Sequence, residues 1–176
     1  MELQGAIKGR RSIRGYISEE IDQEVIRELV KSAQLAPSWK NSQTARFYVA
    51  LSREAKERVR DSLADFNRER TKDASAFIVT TVVHGISGYT SEGKPTHLGN
   101  GFECFDNGLA VENLLLSAYE KGYGTLIMGL YNEAGLREQF SIPAEENVLV
   151  VIALGKAGLN PDTPKRKDLD EILKIL

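Results

Sequence analysis

The sequence predicts an α+β fold in which helices wrap a mixed, mainly antiparallel central sheet. Two uninterrupted apolar runs, 77–83 and 148–154, are rich in branched residues and suit central strands covered on both faces. Between them, residues 102–121 form a long and nearly apolar stretch, which predicts a helix through the core. The chain of 176 residues shows no repeat, low-complexity tract or linker, so we expect one domain over 1–176.

The first predicted helix begins after Asp22, because a carboxylate can cap the free N–H groups of a helix N-terminus. Apolar residues then recur at helical spacing on one face, until Pro37 forces the backbone out of the helix. This face comprises Val25, Ile26, Leu29, Val30 and Ala33. We expect a loop over 36–44 to follow it.

A short strand and a charged helix are expected next. Residues 47–51 predict the strand, and residues 54–70 predict a single helix. Val59, Leu63 and Phe66 have the spacing of a buried stripe along that helix.

The second half of the chain supplies the remaining elements. Gly122 stands where a left-handed residue would end the long helix, and residues 125–128 predict a further strand. The polar, glycine-rich stretch 87–99 predicts a mobile loop that is a candidate cover for a site. The spacing of the last apolar residues indicates a C-terminal helix carrying Leu169, Ile172, Leu173 and Leu176.

Charge and hydropathy limit the partners. The 23 basic and 25 acidic residues give a formal charge of -2, so nothing indicates a nucleic-acid partner or an anionic membrane surface. No apolar run approaches the roughly 20 residues that cross a bilayer. We therefore expect a protein of the cytoplasm that works on small molecules.

Cysteine and histidine usage restricts the chemistry. Cys104 is the only cysteine, which excludes an intrachain disulfide and fits a reducing cytoplasm. At the start of an apolar helix a free cysteine is typically a small buried hydrophobe, so we assign it no chemistry. His84, which we expect to end a strand, and His97 are too few and too far apart to predict a metal site.

The segment 8–16 carries four cations and a hydroxyl within a few residues. Arg10 and Arg14 flank Ser12, and such guanidinium groups can bind phosphate oxygens in pairs while the serine adds a neutral donor. A solvated basic edge is an equally good interpretation of this segment alone. A second basic patch, Lys165 to Lys167, precedes the C-terminal helix and is a candidate to meet the first.

The loop 36–43 is dense in amides and hydroxyls, which can bind a heteroaromatic ring. Ordinary turn chemistry accounts for Pro37 and Ser38. It gives no reason for Trp39, Asn41 and Gln43 to lie together on one loop.

Two common nucleotide-binding motifs are missing from the sequence. No G-x-G-x-x-G follows a predicted strand, which disfavours a Rossmann dehydrogenase. No G-x-x-x-x-G-K-[ST] loop occurs either, so nucleoside triphosphate hydrolysis has no support.

Four motifs in chain order resemble the nitroreductase superfamily. They are R-R-S-I-R, A-P-S-x-x-N-x-Q, D-N-G-L-A-V-E-N-L-L-L-S-A and G-Y-G-T. The resemblance runs from Arg10 to the Lys165–Arg166 pair, so it covers nearly the whole chain. It implies a nitroreductase-like fold that binds flavin mononucleotide (FMN) and works as a homodimer.

The resemblance also implies roles for individual residues. The phosphate and ribityl chain of FMN would be held by Arg10, Arg11, Ser12 and Arg14, with Arg166 and Lys165 closing on the phosphate. Asn67 and Arg70 would face the pyrimidine edge, where a positive charge stabilises the reduced ring.

The remaining implied contacts need two subunits. A partner subunit would contribute Pro37, Ser38, Trp39, Asn41 and Gln43, while the backbone of Ile127, Met128 and Gly129 would approach the flavin N5 side. A core or interface anchor is an equally weighted interpretation of Trp39.

The function implied is an FMN-dependent oxidoreductase that transfers electrons from NAD(P)H to nitroaromatics, quinones or similar small acceptors by a ping-pong mechanism. One alternative is a non-catalytic flavin-binding module for storage, sensing or regulation, motivated by Thr44 and Ala45 where the family often has proline and tryptophan. Another is a relative with reductive dehalogenase-type chemistry.

Overall fold

The computed structural model describes residues 2–176 and confirms the predicted α+β class. A five-stranded sheet lies between helices on both faces. The strands are β1 (Tyr16–Ile17), β2 (Ala45–Ala50), β3 (Ala76–Val83), β4 (Gly124–Met128) and β5 (Glu146–Ala157). The helices are α1 (Leu3–Gly9), α2 (Gln23–Gln34), α3 (Arg53–Asp61), α4 (Asp65–Arg70), α5 (Gly101–Glu120), α6 (Glu133–Phe140) and α7 (Leu169–Ile172).

Strand β5 is the longest strand and organises the sheet. It pairs with β3, β4 and β1, and β2 extends the sheet beyond β3. All four ladders between these strands are antiparallel. Within residues 2–176, the one parallel pairing is an isolated bridge between Ser12 and Thr125. Strands β3 and β5 form the middle of the sheet, as their branched sequences predict.

The two faces of the sheet hold separate cores, because successive side chains of a strand point to opposite faces. In β3, Ile78 packs with α2 and α5, whereas Phe77 and Val79 pack with α3 and α6. All three side chains are fully buried. The sheet is therefore packed on both faces, and its edges are held in fixed positions.

The helices α2 and α5 confirm their predictions closely. Asp22 caps α2 by accepting a hydrogen bond from the Glu24 N–H at 2.9 Å, and Leu29 is fully buried on the predicted face. Helix α5 spans Gly101–Glu120, and Gly122 follows it with a φ of +79°. The strands also lie where expected, with β2 beginning two residues early and β5 extending further at both ends.

The prediction of one charged helix over 54–70 is wrong. The structure has two helices, α3 and α4, separated at Ser62 to Ala64. There Leu63 bridges Tyr131, and the Ala64 N–H donates to the Leu130 carbonyl oxygen at 3.3 Å. These long-range pairings replace helical hydrogen bonds, and the reorientation leaves Phe66 exposed instead of buried.

Three further differences lie near the chain termini and in α5. The segment 3–9 forms α1, which no periodic pattern had indicated. The C-terminal helix has one turn only, because its apolar side chains are exposed and burial does not stabilise further turns. Cys104 is exposed, contrary to prediction, since it lies on the outer face of α5.

No helix within residues 2–176 is long and apolar enough to cross a membrane.

Candidate functional site

The basic segment 10–14 follows α1 and runs beside β4. Ser12 bridges Thr125, and the Ile13 N–H donates to the Thr125 carbonyl oxygen at 2.9 Å. Ile13 is buried, so the alternation of an extended chain turns Ser12 and Arg14 outward. The backbone thus fixes a row of cationic and hydroxyl side chains on the edge of the sheet.

The arginines of this segment differ in what they contact. The Arg10 Nε lies 3.5 Å from the Glu112 carboxylate of α5. Arg11 donates from Nη1 to the carbonyl oxygens of Lys8 and Arg10, each at 2.7 Å, and from Nη2 to the Thr163 hydroxyl. Arg11 therefore ties the C-terminal segment to the basic segment.

The second basic patch lies close to that tie. Lys165 and Arg166 follow Thr163 by two and three residues, and both are exposed. Because Thr163 is held by Arg11, the two basic patches share one region of the surface.

Helix α4 brings a further cation to the same edge. Arg70 and Arg14 line one hollow of about 350 Å³, together with Tyr16. Asn67 is buried one turn earlier in α4, while the Arg70 guanidinium lies 5.1 Å from the centre of the Phe66 ring. Burial raises the pKa of the Tyr16 phenol well above its ordinary value, and Arg14 lowers it by a smaller amount.

The end of β4 offers open backbone. Met128 is buried, but Ile127 is 45% exposed and Gly129 is also exposed. A Cβ placed on Gly129 would meet nothing within 4 Å. Thr125, beside the basic segment, and Met128 are about 10 Å apart at the usual rise of a strand.

The loop 37–43 has a strained backbone. It contains a short 3-10 turn, Trp39–Asn41, and Lys40, Asn41 and Gln43 have φ values of 47°, 55° and 50°. Non-glycine residues with positive φ are uncommon and concentrate at functional sites. Pro37, Asn41 and Gln43 are exposed.

Trp39 is anchored within its own chain. Its ring centre lies 4.6 Å from that of Phe102, and its Nε1 donates to the Tyr89 carbonyl oxygen at 3.0 Å. Its backbone N–H donates to the Asp106 carboxylate at 2.9 Å. These contacts favour the anchor interpretation of this residue. Within residues 2–176, no hydrogen bond joins the loop 37–43 to the basic segment.

The structure adds buried polar residues that the sequence reading missed. Helix α5 buries Glu103, Asp106 and Asn107 in its first two turns. Charged residues inside a nearly apolar helix were the available signal, because buried charges need partners. Glu103 accepts from the Gly85 N–H at 2.7 Å and lies 3.2 Å from the His84 ring.

The residues 2–176 bring together no group of three histidine, cysteine, aspartate or glutamate side chains that could hold a metal ion. The polar chemistry of the edge is instead cationic, with arginine, lysine and serine donors around β4.

The fold places the chain in the class of nitroreductase-like α+β proteins. It superposes on the crystal structure of "a putative nitroreductase in complex with FMN" from Exiguobacterium sibiricum with a TM-score of 0.88 and 25% identity, covering 100% of this chain and 98% of the other. A nitroreductase family protein from Clostridium novyi gives a TM-score of 0.77 and 28% identity, covering 97% and 91%.

Sequence comparison agrees with the fold. The model of the nitroreductase family matches residues 7–156, and the chain belongs to this family. A protein of Methanothermobacter thermautotrophicus named "Putative NADH dehydrogenase/NAD(P)H nitroreductase" is 31% identical, with 98% of this chain and 86% of the relative covered.

Proposed function

We propose that the chain binds FMN and transfers electrons from a reduced nicotinamide nucleotide to small organic acceptors. The observation that carries this proposal is the Ser12–Thr125 bridge, which lays the cationic segment along β4 while open backbone lies at the other end of the strand. The FMN in the Exiguobacterium structure and the name of the Methanothermobacter relative support it.

The donors at this edge fit a flavin phosphate. A phosphate dianion is best held by guanidinium groups and a hydroxyl, and Arg10, Arg14 and Ser12 supply these within five consecutive residues. Arg11 uses its donors on the carbonyl oxygens of Lys8 and Arg10 and on the Thr163 hydroxyl. We infer that Arg11 acts mainly by holding Lys165 and Arg166 near the phosphate.

The ring end of the site is proposed to lie by α4 and the end of β4. The Arg70 guanidinium and the Asn67 amide would face the pyrimidine edge, where a cation favours extra negative charge. The exposed backbone at Ile127 and Gly129 leaves room for a flat ring to approach.

This arrangement calls for no side-chain nucleophile or general base. Bound FMN would supply the hydride-transfer chemistry, and the chain would supply position and charge. Because the nicotinamide and the acceptor would occupy the same open space in turn, we expect ping-pong kinetics. Quinones and nitroaromatics are the acceptors that we propose.

We also propose a homodimer in which the loop 37–43 serves the partner's flavin. The C-terminal segment exposes Leu169, Ile172 and Ile175, of which Ile175 is 84% exposed, and α1 exposes Leu3 and Ile7. Exposed apolar side chains in such number indicate a surface that a second subunit covers. The edge of β2 away from β3 pairs with none of the other named strands.

Sedimentation equilibrium tests the dimer. We expect the full chain to dimerise. A chain ending after Lys167 should have a higher dimer dissociation constant, since it lacks the exposed apolar residues of the C-terminal segment. A chain with Leu169 and Ile172 both changed to serine is the matched control for length. A monomeric full chain would refute the proposal.

An absorbance spectrum of the purified protein tests the cofactor and the reaction together. We expect a yellow protein that bleaches on anaerobic addition of NADPH or NADH and recovers its colour with menadione. A protein that takes up no added FMN would refute the site. Binding without bleaching would favour the flavin-binding module, and recovery only with a halogenated aromatic would favour dehalogenase-type chemistry.

A further inference from the structure

Asp106 is a buried carboxylate that the proposed electron transfer does not use. It lies in the second turn of α5 and is 5% exposed. Its Oδ2 accepts two hydrogen bonds, from the Trp39 backbone N–H at 2.9 Å and from the Ser87 hydroxyl at 2.7 Å. Burying a carboxylate destabilises the fold unless hydrogen bonds satisfy its oxygens. Hydrogen bonds to a carboxylate are also stronger than those between neutral groups.

One of these bonds holds the strained loop. The loop 37–43 borders a hollow of about 300 Å³, lined in part by Pro37, Ser38, Gln43 and Asp106 itself. Left-handed conformations at non-glycine residues persist only when the surroundings fix them. The bond from the Trp39 N–H to Asp106 provides such a fixed point at the start of the turn.

The second bond extends the link to another segment. Ser87 is fully buried, and its hydroxyl also lies 3.0 Å from that of Ser42 and 3.3 Å from that of Thr44. The indole of Trp39 donates to Tyr89 in the same segment. Asp106 and Ser87 thus connect the loop 37–43 to the segment 87–99 through one small network.

We propose that Asp106 is a positioning residue for the flavin site: it fixes the loop 37–43 in its binding conformation and couples it to the segment 87–99. This role rests on the proposed function, because it assumes that the loop contacts flavin. The hold of Asp106 on Trp39 does not depend on that assumption and can be measured in protein without cofactor.

The test uses Trp39, the only tryptophan of the chain, as its reporter. In cofactor-free protein, Asp106→Ala is expected to move the Trp39 emission to longer wavelength and to raise quenching by acrylamide, because the indole leaves Phe102. The FMN dissociation constant should rise about ten-fold, which corresponds to the loss of one charged hydrogen bond.

Two further variants keep the result interpretable. Asp106→Asn preserves shape and one acceptor oxygen, so it is expected to fold and to show a smaller change of the same sign. Asn107→Ala is the matched control, because Asn107 is its buried neighbour on α5 but bonds the Thr80 hydroxyl in the sheet instead of the loop. It should lower stability without moving the Trp39 emission.

The outcomes separate the two proposals. An unchanged Trp39 emission in both Asp106 variants would overturn the positioning role. A shifted emission together with unchanged FMN affinity would overturn the role at the flavin site. If the wild-type protein bound no FMN while the emission still shifted, the proposed function would fail and the hold on the loop would stand.

Discussion

Arg10 gives the sharpest test of the phosphate site at the scale of single residues. Arg10→Ala removes a guanidinium from the edge of β4, so the FMN dissociation constant is expected to rise about 10- to 100-fold, the usual range for a charged hydrogen bond. Riboflavin has no phosphate, and its affinity should stay unchanged. Isothermal titration with both ligands makes the comparison.

The control for Arg10 is Arg58, an exposed arginine of α3 that pairs with Glu54 at 2.6 Å. Arg58→Ala should leave both affinities unchanged. If Arg10→Ala lowered the affinities for FMN and riboflavin equally, the arginine would act on the fold or on the flavin ring. The assignment of Arg10 to the phosphate would then fail.

Tyr16 makes the free energy of unfolding depend on pH in the alkaline range. Burial raises the pKa of its phenol above the unfolded value of about 10, so the native state favours the neutral form. That contribution is fully present below about pH 10 and is lost as the pH rises. In Tyr16→Phe we expect the free energy of unfolding to fall less steeply above about pH 10 than in the wild type.

Urea unfolding at a series of pH values measures this difference. Some dependence should remain in the variant, because burial also raises the pKa of Tyr48 and Tyr131. Near neutral pH the variant loses only the hydrogen bond to the Ala153 carbonyl oxygen, at a cost of about 0.5–1.5 kcal/mol. Identical slopes in both proteins would contradict the assignment.

The role of a single residue can be predicted from the sequence when its partners are its sequence neighbours, and not when its partners are far away along the chain. Asp22 caps the helix directly after it, so its role was readable from its neighbours. Asp106 bonds residues 67 and 19 positions away, which no spacing pattern reveals. Cys104 was misjudged because its exposure depends on which face of α5 meets the sheet.

At the scale of elements, two leucines in and just after α2 allow a comparison of buried and exposed side chains. Leu29 is fully buried between the helix and the sheet, whereas Leu35, just past the helix end, is 83% exposed. Leu29→Ala should lower the free energy of unfolding by about 2–5 kcal/mol through lost burial and a cavity. Leu35→Ala should stay within about 0.5 kcal/mol, and denaturant titration compares the two.

Strands β3 and β5 were predictable because continuous branched runs have one good environment, the centre of a covered sheet. The charged helix was wrong for the complementary reason. Val59 and Leu63 fit a helical stripe, but Leu63 instead bridges Tyr131. A pairing partner 68 residues along the chain overrode a local pattern, and α1 was missed because its seven residues show no clear stripe.

At the scale of the whole molecule, we propose that the site is divided between two chains. One chain would supply the basic segment and β4, and its partner would supply the loop 37–43. This division cannot be read from elements in sequence order, because it depends on a second copy. The resemblance implied it, and the exposed apolar residues of α1 and of the C-terminal segment support the dimer that it requires.

Hybrid dimers test the division directly. One chain carries Arg10→Ala, and the other carries Asn41→Ala with Gln43→Ala, two exposed positions whose change should not disturb folding. With different affinity tags, hybrid dimers can be isolated and titrated with FMN. If each loop serves the partner's flavin, one site of the hybrid combines an intact basic segment with an intact loop. We then expect about one FMN per hybrid dimer at an FMN concentration that leaves both parents almost empty.

The reverse combination gives the opposite result and so removes ambiguity. A chain carrying all three substitutions is paired with the wild type. If the loop acts across the interface, each site contains one damaged part, and the hybrid should bind almost no FMN. If the loop acts within its own chain, the wild-type chain keeps a complete site and about one FMN should bind. Binding in this second hybrid, together with none in the first, would show that each chain builds its flavin site alone.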